Sequence, residues 1–260
     1  MSLDLSKPST PVALGKIGVV VLAAGKGSRL NCADSPKVML KIGERPIVSY
    51  VVDTLKQAGF SQEQICLVVG FQKEQVQEHF GESVSYAIQE EQNGTAHAAY
   101  VGMRALPPEI EHVLVIGGDD SAFYEAETIL NFINNHHNTG AKLSLLSAEF
   151  DDPGLVGKIV RYSDKSIAII EKEYWTDLEK NTKEVSTGTF CFDREWFEEM
   201  FPTMPPLRKL GEYGLPTALA IARGQGVKYQ VIKLDDPSEW FGINTKEELK
   251  KAHALKSKFK

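Results

Sequence analysis

"KIGVVVLAAGKGSRL", residues 16–30, decides how the chain is read. From Ile17 to Ala24 it is apolar on both alternating faces and rich in β-branched residues, which is the pattern of a strand buried inside a parallel sheet. It then enters a loop holding Gly25, Lys26, Gly27 and Arg29. Glycines after a strand let backbone N–H groups approach an anion closely, and the lysine and arginine add charge beside them. A dinucleotide fingerprint would need a third glycine where Leu30 stands, and a P-loop would need its lysine directly after the second glycine, so neither motif fits. Taken alone, the loop reads equally well as a tight turn with solvated basic residues.

Outward from this strand the elements alternate. In "PIVSYVVDTLKQAG" (46–59), Ile47, Tyr50, Val51, Leu55 and Ala58 stand at helical spacing and Gly59 is placed to stop the helix. "QICLVVG" (64–70) is a second apolar strand, followed by a polar helix over 72–80, a strand "SVSYAI", a helix from Thr95 to Leu106 and a strand "HVLVIGGDD" (112–120). Repeated β-α-β of this kind predicts an α/β fold, a doubly wound sheet with ligands at the carboxyl ends of its strands. Beyond about residue 140, "AKLSLLSAEF", "GKIVRY", "SIAIIEK" and "EVSTGTFCF" are strand-like with short connections, and they predict a mixed second half that partly extends the sheet and partly forms a substrate lobe. A helix over 213–223, a strand "VKYQVIKL" and a helix from Thr245 complete the chain. Residues 1–16 read as a flexible arm, 17–252 as a single domain with halves 17–140 and 141–244, and 253–260 as a solvated basic helix end.

With 42% hydrophobic residues in 260, the chain can bury a substantial core. Its formal charge of −6 argues against general nucleic-acid binding, so any cationic site is local. Cys32, Cys66 and Cys191 form no C-x-x-C pair, which gives no sign of a disulfide framework or thiolate zinc site and suits a reducing cytoplasm. No apolar run reaches the roughly 18 residues of a membrane span, and the opening segment lacks a signal peptide's apolar core. The expected setting is cytoplasmic, without a membrane or nucleic-acid partner; the oligomeric state has no sequence signature here.

Longer motifs are more specific. "LAAGKGSRL" with "SPKVMLKIGERPI", then "QEEQNGTAHAA", "VLVIGGDD", "GKIVR", "IIEK", "EVSTGTF" and "FGINTKEEL" follow in order over residues 17–252. Together they resemble the motifs of the sugar-1-phosphate nucleotidylyltransferases, most closely the N-acetylglucosamine-1-phosphate uridylyltransferase domain. The resemblance implies a Rossmann-like, doubly wound mixed sheet of the GT-A-like nucleotide-diphospho-sugar transferase type with a smaller β-rich sugar lobe. It also implies a reaction in which a sugar 1-phosphate oxygen attacks the α-phosphorus of a nucleoside triphosphate, UTP foremost, and expels pyrophosphate. Because the attacking phosphate is already largely dianionic, its second pKa being about 6, no strong general base is required. Catalysis rests on aligning two polyanions and neutralising their charge.

By the same resemblance, Leu22, Ala23, Ala24, Gly25 and Gly118 give backbone contacts to the nucleotide, while Arg29 and Lys37 meet its phosphates, Lys37 being the foremost stabiliser of developing charge. Gln89 and Gln92 present amides to the base edge, with Gly94 and Thr95 opening the next helix; a capping Thr95 beside two solvated glutamines is the plainer alternative. His97 reads as a packed helix residue. Asp119 and Asn244 would hold Mg²⁺, which takes oxygen ligands and keeps waters and substrate phosphates. Asp120 reads as a solvated loop acid. Gly157, Glu171, Lys172, Ser186 and Thr187 fall on the sugar side.

Three segments depart from the family pattern. Ser186 stands for asparagine, "GEYGLPTALA" replaces E-Y-Y-L-T-D, and "GLVGK" lacks the first glycine and the tyrosine of G-Y-G-R, with Lys158 for arginine. All three are on the sugar side, so the sugar is less defined than the reaction. Alternatives are a thymidylyl, cytidylyl or guanylyl transferase with another phosphate acceptor, or a nucleotide-sugar-binding protein with weak catalysis. The 260 residues hold no hexapeptide repeat, so acetyl transfer is not expected of them.

Overall fold

The computed structural model describes residues 12–27, 34–207, 209 and 211–256. Strand β1 (Ile17–Ala23) is followed by a short hairpin, β2 (Lys41–Ile42) and β3 (Arg45–Pro46), and by helix α1 (Ile47–Gln57). Then come β4 (Ile65–Val69), α2 (Lys73–Phe80), β5 (Ser85–Ile88), α3 (Thr95–Ala105), β6 (His112–Gly117) and α4 (Ala126–Thr139). The remaining elements are β7 (Leu143–Glu149), β8 (Lys158–Arg161), β9 (Ile167–Ile170), α5 (Asp177–Lys180), β10 (Glu184–Asp193), α6 (Arg194–Met200), α7 (Leu215–Gln225), β11 (Tyr229–Lys233) and α8 (Lys246–Lys256).

One mixed sheet runs β11-β7-β10-β6-β1-β4-β5, with β8 and β9 branching from β10. β1 lies mid-sheet, parallel to β4 on one side and β6 on the other, as its apolar faces predict. Val19 and Val21 pack into the core layer containing Val48, Leu55, Phe132 and Ile133, and Val20 packs into the opposite layer with Ala99, Met103 and Leu219. Helices therefore cover both faces. β10 runs antiparallel to β6 and β7 and is irregular between Ser186 and Phe190. That irregularity falls where the sheet hands over to the β8–β9 hairpin.

The helix over Ile47–Gln57 ends as its sequence predicts: Gly59 takes φ +96°, and Phe60 N–H returns to Leu55 O at 3.2 Å. Helices α4 and α6 are additions to the sequence reading. α4 buries Ile129, Phe132, Ile133 and His136 on one face, and α6 is capped by Asp193, whose carboxylate accepts from Trp196 N–H at 2.9 Å. No described helix is long and apolar enough to cross a membrane.

Candidate active site

Because β1 and β6 are adjacent and parallel, their carboxyl ends open on the same side. The residues after them line a cleft of about 570 Å³. Leu22, Ala24, Gly25, Gln89, Gln92, Gly94 and Thr95 line it from the first half of the chain, Gly157, Glu171, Ser186 and Thr187 from the second, and Lys37, Asp119 and Asn244 line it where they meet one another. Ala23 is buried behind the lining, and Gly118 lies behind it too, its N–H bonded to Leu22 O at 3.0 Å. Lys172 stands outside, with its ammonium 3.9 Å from Glu173. Arg29 lies outside the described residues.

At the floor, the Lys37 ammonium forms an ion pair with Asp119 and donates to Asn244 Oδ1 at 2.8 Å. Three distant segments meet in this contact. Gly27 makes room for it: its φ is +64°, and a Cβ there would lie 2.8 Å from Lys37 Cβ. The second glycine of the loop thus seats the lysine segment. Asn244 is fixed by the start of α8, where Glu248 Oε2 accepts from the backbone N–H of Asn244 (2.6 Å) and of Thr245 (2.8 Å). In return Thr245 Oγ1 accepts from Glu248 N–H at 3.1 Å, completing a capping box.

The paired glycines before Asp119 serve their acidic neighbours. A Cβ on Gly117 would fall 2.3 Å from Asp120 Oδ1, and one on Gly118 would fall 3.0 Å from Leu22 O. Asp120 is not the solvated loop acid read from the sequence. It lines the cleft, accepts from Ser121 Oγ at 2.9 Å, and is only partly exposed. Burial raises its pKa, the Asp119 charge adds to that, and Ser121, Lys37 and the Trp240 indole oppose it. Asp119 and Asn244 offer oxygen donors suited to a hard divalent cation, and no described group of three or more histidine, cysteine or acidic side chains could hold a metal.

On the nucleotide wall, buried Gln89 donates through Nε2 to Gly94 O at 3.1 Å. A carbonyl can only accept, so this bond fixes the amide's orientation and leaves Oε1 unspent by it. The same Nε2 lies 3.0 Å from His97 Nδ1, and the His97 ring stacks near Phe201. His97 is a packed helix residue as read, and it also orients Gln89. Gln92 Nε2 donates to Ala24 O at 2.7 Å, tying this segment to the glycine loop. Gly94, at φ +99°, leaves space for the backbone of Tyr213, which a Cβ would meet at 2.5 Å. Thr95 does not cap its own helix; its Oγ1 accepts from Leu215 N–H at 3.1 Å.

The acceptor wall is built by register. Lys158 pairs with Ile170 and with Val185, so Gly157, Glu171 and Ser186 are the next residues along β8, β9 and β10. Ser186 N–H donates to Gly157 O at 2.9 Å, and Gly157 comes close enough to Glu171 that a Cβ would meet Oε1 at 3.0 Å. Burial raises the Glu171 pKa, with Glu173 adding to it and Lys172 opposing. Thr187 is buried, and its hydroxyl is committed to Leu146 O at 2.9 Å.

The family model of the MobA-like NTP transferase domain matches residues 19–199. Among curated proteins, the bifunctional protein GlmU of Heliobacterium modesticaldum is 35% identical over 237 residues, covering 91% of this chain and 51% of that protein. GlmU of Geobacter metallireducens is 33% identical over 242 residues, covering 92% and 50%. The chain spans about half the length of these curated relatives. A crystal structure assigned as a glucose-1-phosphate thymidylyltransferase from Bacillus anthracis superposes with a TM-score of 0.75 over 92% of this chain and 94% of that one, at 22% identity, a likeness of fold. The α/β fold and the family resemblance drawn from the motifs are thereby borne out.

Proposed function

The chain belongs to the MobA-like NTP transferase family, and from that premise we propose that it transfers a uridylyl group from UTP to a sugar 1-phosphate, releasing pyrophosphate. The observation that carries the proposal is the meeting of Lys37, Asp119 and Asn244 at the floor of a cleft that Gly157, Glu171 and Ser186 line from the second half of the chain. A nucleotide against the first-half lining and a sugar phosphate against the second would meet over that cation and its two oxygen partners. The name of the structural neighbour, a glucose-1-phosphate thymidylyltransferase, is in keeping with this chemistry.

The base would stand against Gln89, whose Oε1 can accept the N–H of a uracil edge, and the following glycine segment is where backbone groups can meet the ring oxygens. Lys37, and Arg29 by the motif, would neutralise the triphosphate as the sugar phosphate oxygen attacks in line. Glu171 would accept from acceptor hydroxyls. No side chain need remove a proton, since the phosphate nucleophile is already ionised.

Asp119 and Asn244 fit a divalent cation, because their oxygens already converge on one cation, the Lys37 ammonium. They would hold Mg²⁺, which when bound supplies charge neutralisation to the phosphates. The test is pyrophosphate release measured over four nucleoside triphosphates and a panel of sugar 1-phosphates. Release is expected only with triphosphate, acceptor and metal together, and fastest with UTP. No release with any combination would overturn the reading.

A further inference from the structure

Of the described residues, Lys158 has one of the largest fully buried side chains, at 1% exposure. A buried ammonium is costly unless a carboxylate pairs with it, yet no described ion pair includes Lys158. Its neighbours are Gly154 O, which accepts from Nζ at 3.3 Å, and the Trp175 ring, whose centroid is 4.9 Å away. The Trp175 indole in turn donates to Ile170 O at 2.9 Å. Burial pushes the Lys158 pKa below the usual lysine range, with Asp152 opposing.

These partners sit on two different segments. Gly154 precedes β8 in the loop that brings Leu155 and Gly157 to the cleft, and Trp175 follows Glu171 beyond β9. Leu155 is 70% exposed, so its own side chain does little to anchor the loop. A cation held between a carbonyl on one segment and an aromatic face on the other fixes their separation, and a cation–π contact within about 6 Å is attractive. We propose that Lys158 is a positioning residue for the acceptor wall: it latches residues 151–157 to residues 171–176 and so sets Gly157 and Glu171 at the spacing the acceptor requires. This inference rests on the acceptor side being where the proposed reaction puts the sugar phosphate. Its cost in buried charge is the reason a latch is distinguishable from packing.

The test compares Lys158→Met, which keeps the stem and removes the charge, with Lys158→Arg, the residue of the pattern that this segment resembles. Lys158→Met is expected to melt no lower than the unmodified protein, since a buried charge has gone. Its acceptor KM is expected to rise about tenfold through misplacement, while the triphosphate KM stays within about twofold. Lys158→Arg keeps the acceptor KM near that of the unmodified protein, and Trp175→Leu shifts it as Lys158→Met does, with little further loss in the double variant. Hydrogen exchange supplies a readout independent of turnover: Lys158→Met speeds it in 151–157 and 171–176 and leaves β1 unchanged. An unmodified protein without turnover overturns the proposed reaction, and the latch is then decided by exchange alone. A lower melting point with exchange raised throughout the chain, or exchange unchanged in the two segments, overturns the latch.

Discussion

Lys37 Nζ donates to Asn244 Oδ1 at 2.8 Å across 207 residues of sequence, and it pairs at the same time with Asp119. One ammonium therefore joins the segment after the glycine loop, the end of β6 and the start of α8. Local backbone choices sit beside each of these: Gly27 vacates space for Lys37, Gly117 for Asp120 next to Asp119, and the Thr245–Glu248 cap holds Asn244. The centre is thus built from backbone decisions, and its side chains follow.

Lys37→Met keeps the stem and removes the charge from that centre. Pyrophosphate release is expected to fall at least about a hundredfold, the scale of losing one preorganised electrostatic group, with the circular dichroism spectrum retained. Turnover within about threefold of the unmodified protein would contradict the role proposed for Lys37.

Gly27→Ala probes the same charge without touching it. Its Cβ would fall 2.8 Å from Lys37 Cβ, in a backbone conformation at φ +64° that costs a non-glycine residue about 1–2 kcal/mol. Lys37 must give way, so kcat is expected to fall about tenfold or more from sub-ångström displacement. A stability loss measured by urea unfolding with kcat unchanged would show that the glycine serves only the turn.

Much of the fold was legible in the chain, and the exceptions have physical reasons. β1 declared its position because both faces are apolar, and both faces prove to be packed. Helix α4 has a weak sequence signature although Ile129, Phe132, Ile133 and His136 keep helical spacing, because a buried histidine and the surrounding asparagines dilute the apolar stripe. Asp120 reads as a loop acid in the sequence because its place in the cleft is a tertiary fact, one that a side chain on Gly117 would block. In the sequence Lys158 reads only as a lysine where the pattern has arginine; a lysine in a strand gives no sign that an aromatic ring from another segment covers it.

His136 gives the stability a predictable acid limb. Burial, aided by the neighbouring His112, pushes its pKa from 6.5 down to about 3, while Nδ1 is held 2.8 Å from Ser144 Oγ. Between these values the unfolded chain binds a proton that the folded chain refuses. The stabilising contribution is therefore complete above about pH 6.5 and is lost progressively as pH falls toward about 3. Between about pH 7 and 4.5, urea unfolding should show about 2–3 kcal/mol more loss in the unmodified protein than in His136→Gln. Parallel profiles for the two proteins would rule out His136 as the source.

The cap of α8 separates holding a ligand from being one. Glu248 does not line the cleft, but its carboxylate accepts the Asn244 N–H at 2.6 Å and the Thr245 N–H at 2.8 Å. Glu248→Ala leaves both donors without that acceptor, at a cost of about 1 kcal/mol in stability, typical of a lost helix cap. If Asn244 helps to hold Mg²⁺, a loosened backbone should raise the Mg²⁺ concentration for half-maximal rate about three- to tenfold, second-sphere losses often reaching that size. Glu248→Gln keeps an accepting oxygen and should stay near the unmodified protein, while Asn244→Ala should shift the metal dependence further than Glu248→Ala. An unchanged metal dependence in Glu248→Ala, with the stability loss present, would confine Glu248 to ending the helix and would detach the cap from the chemistry.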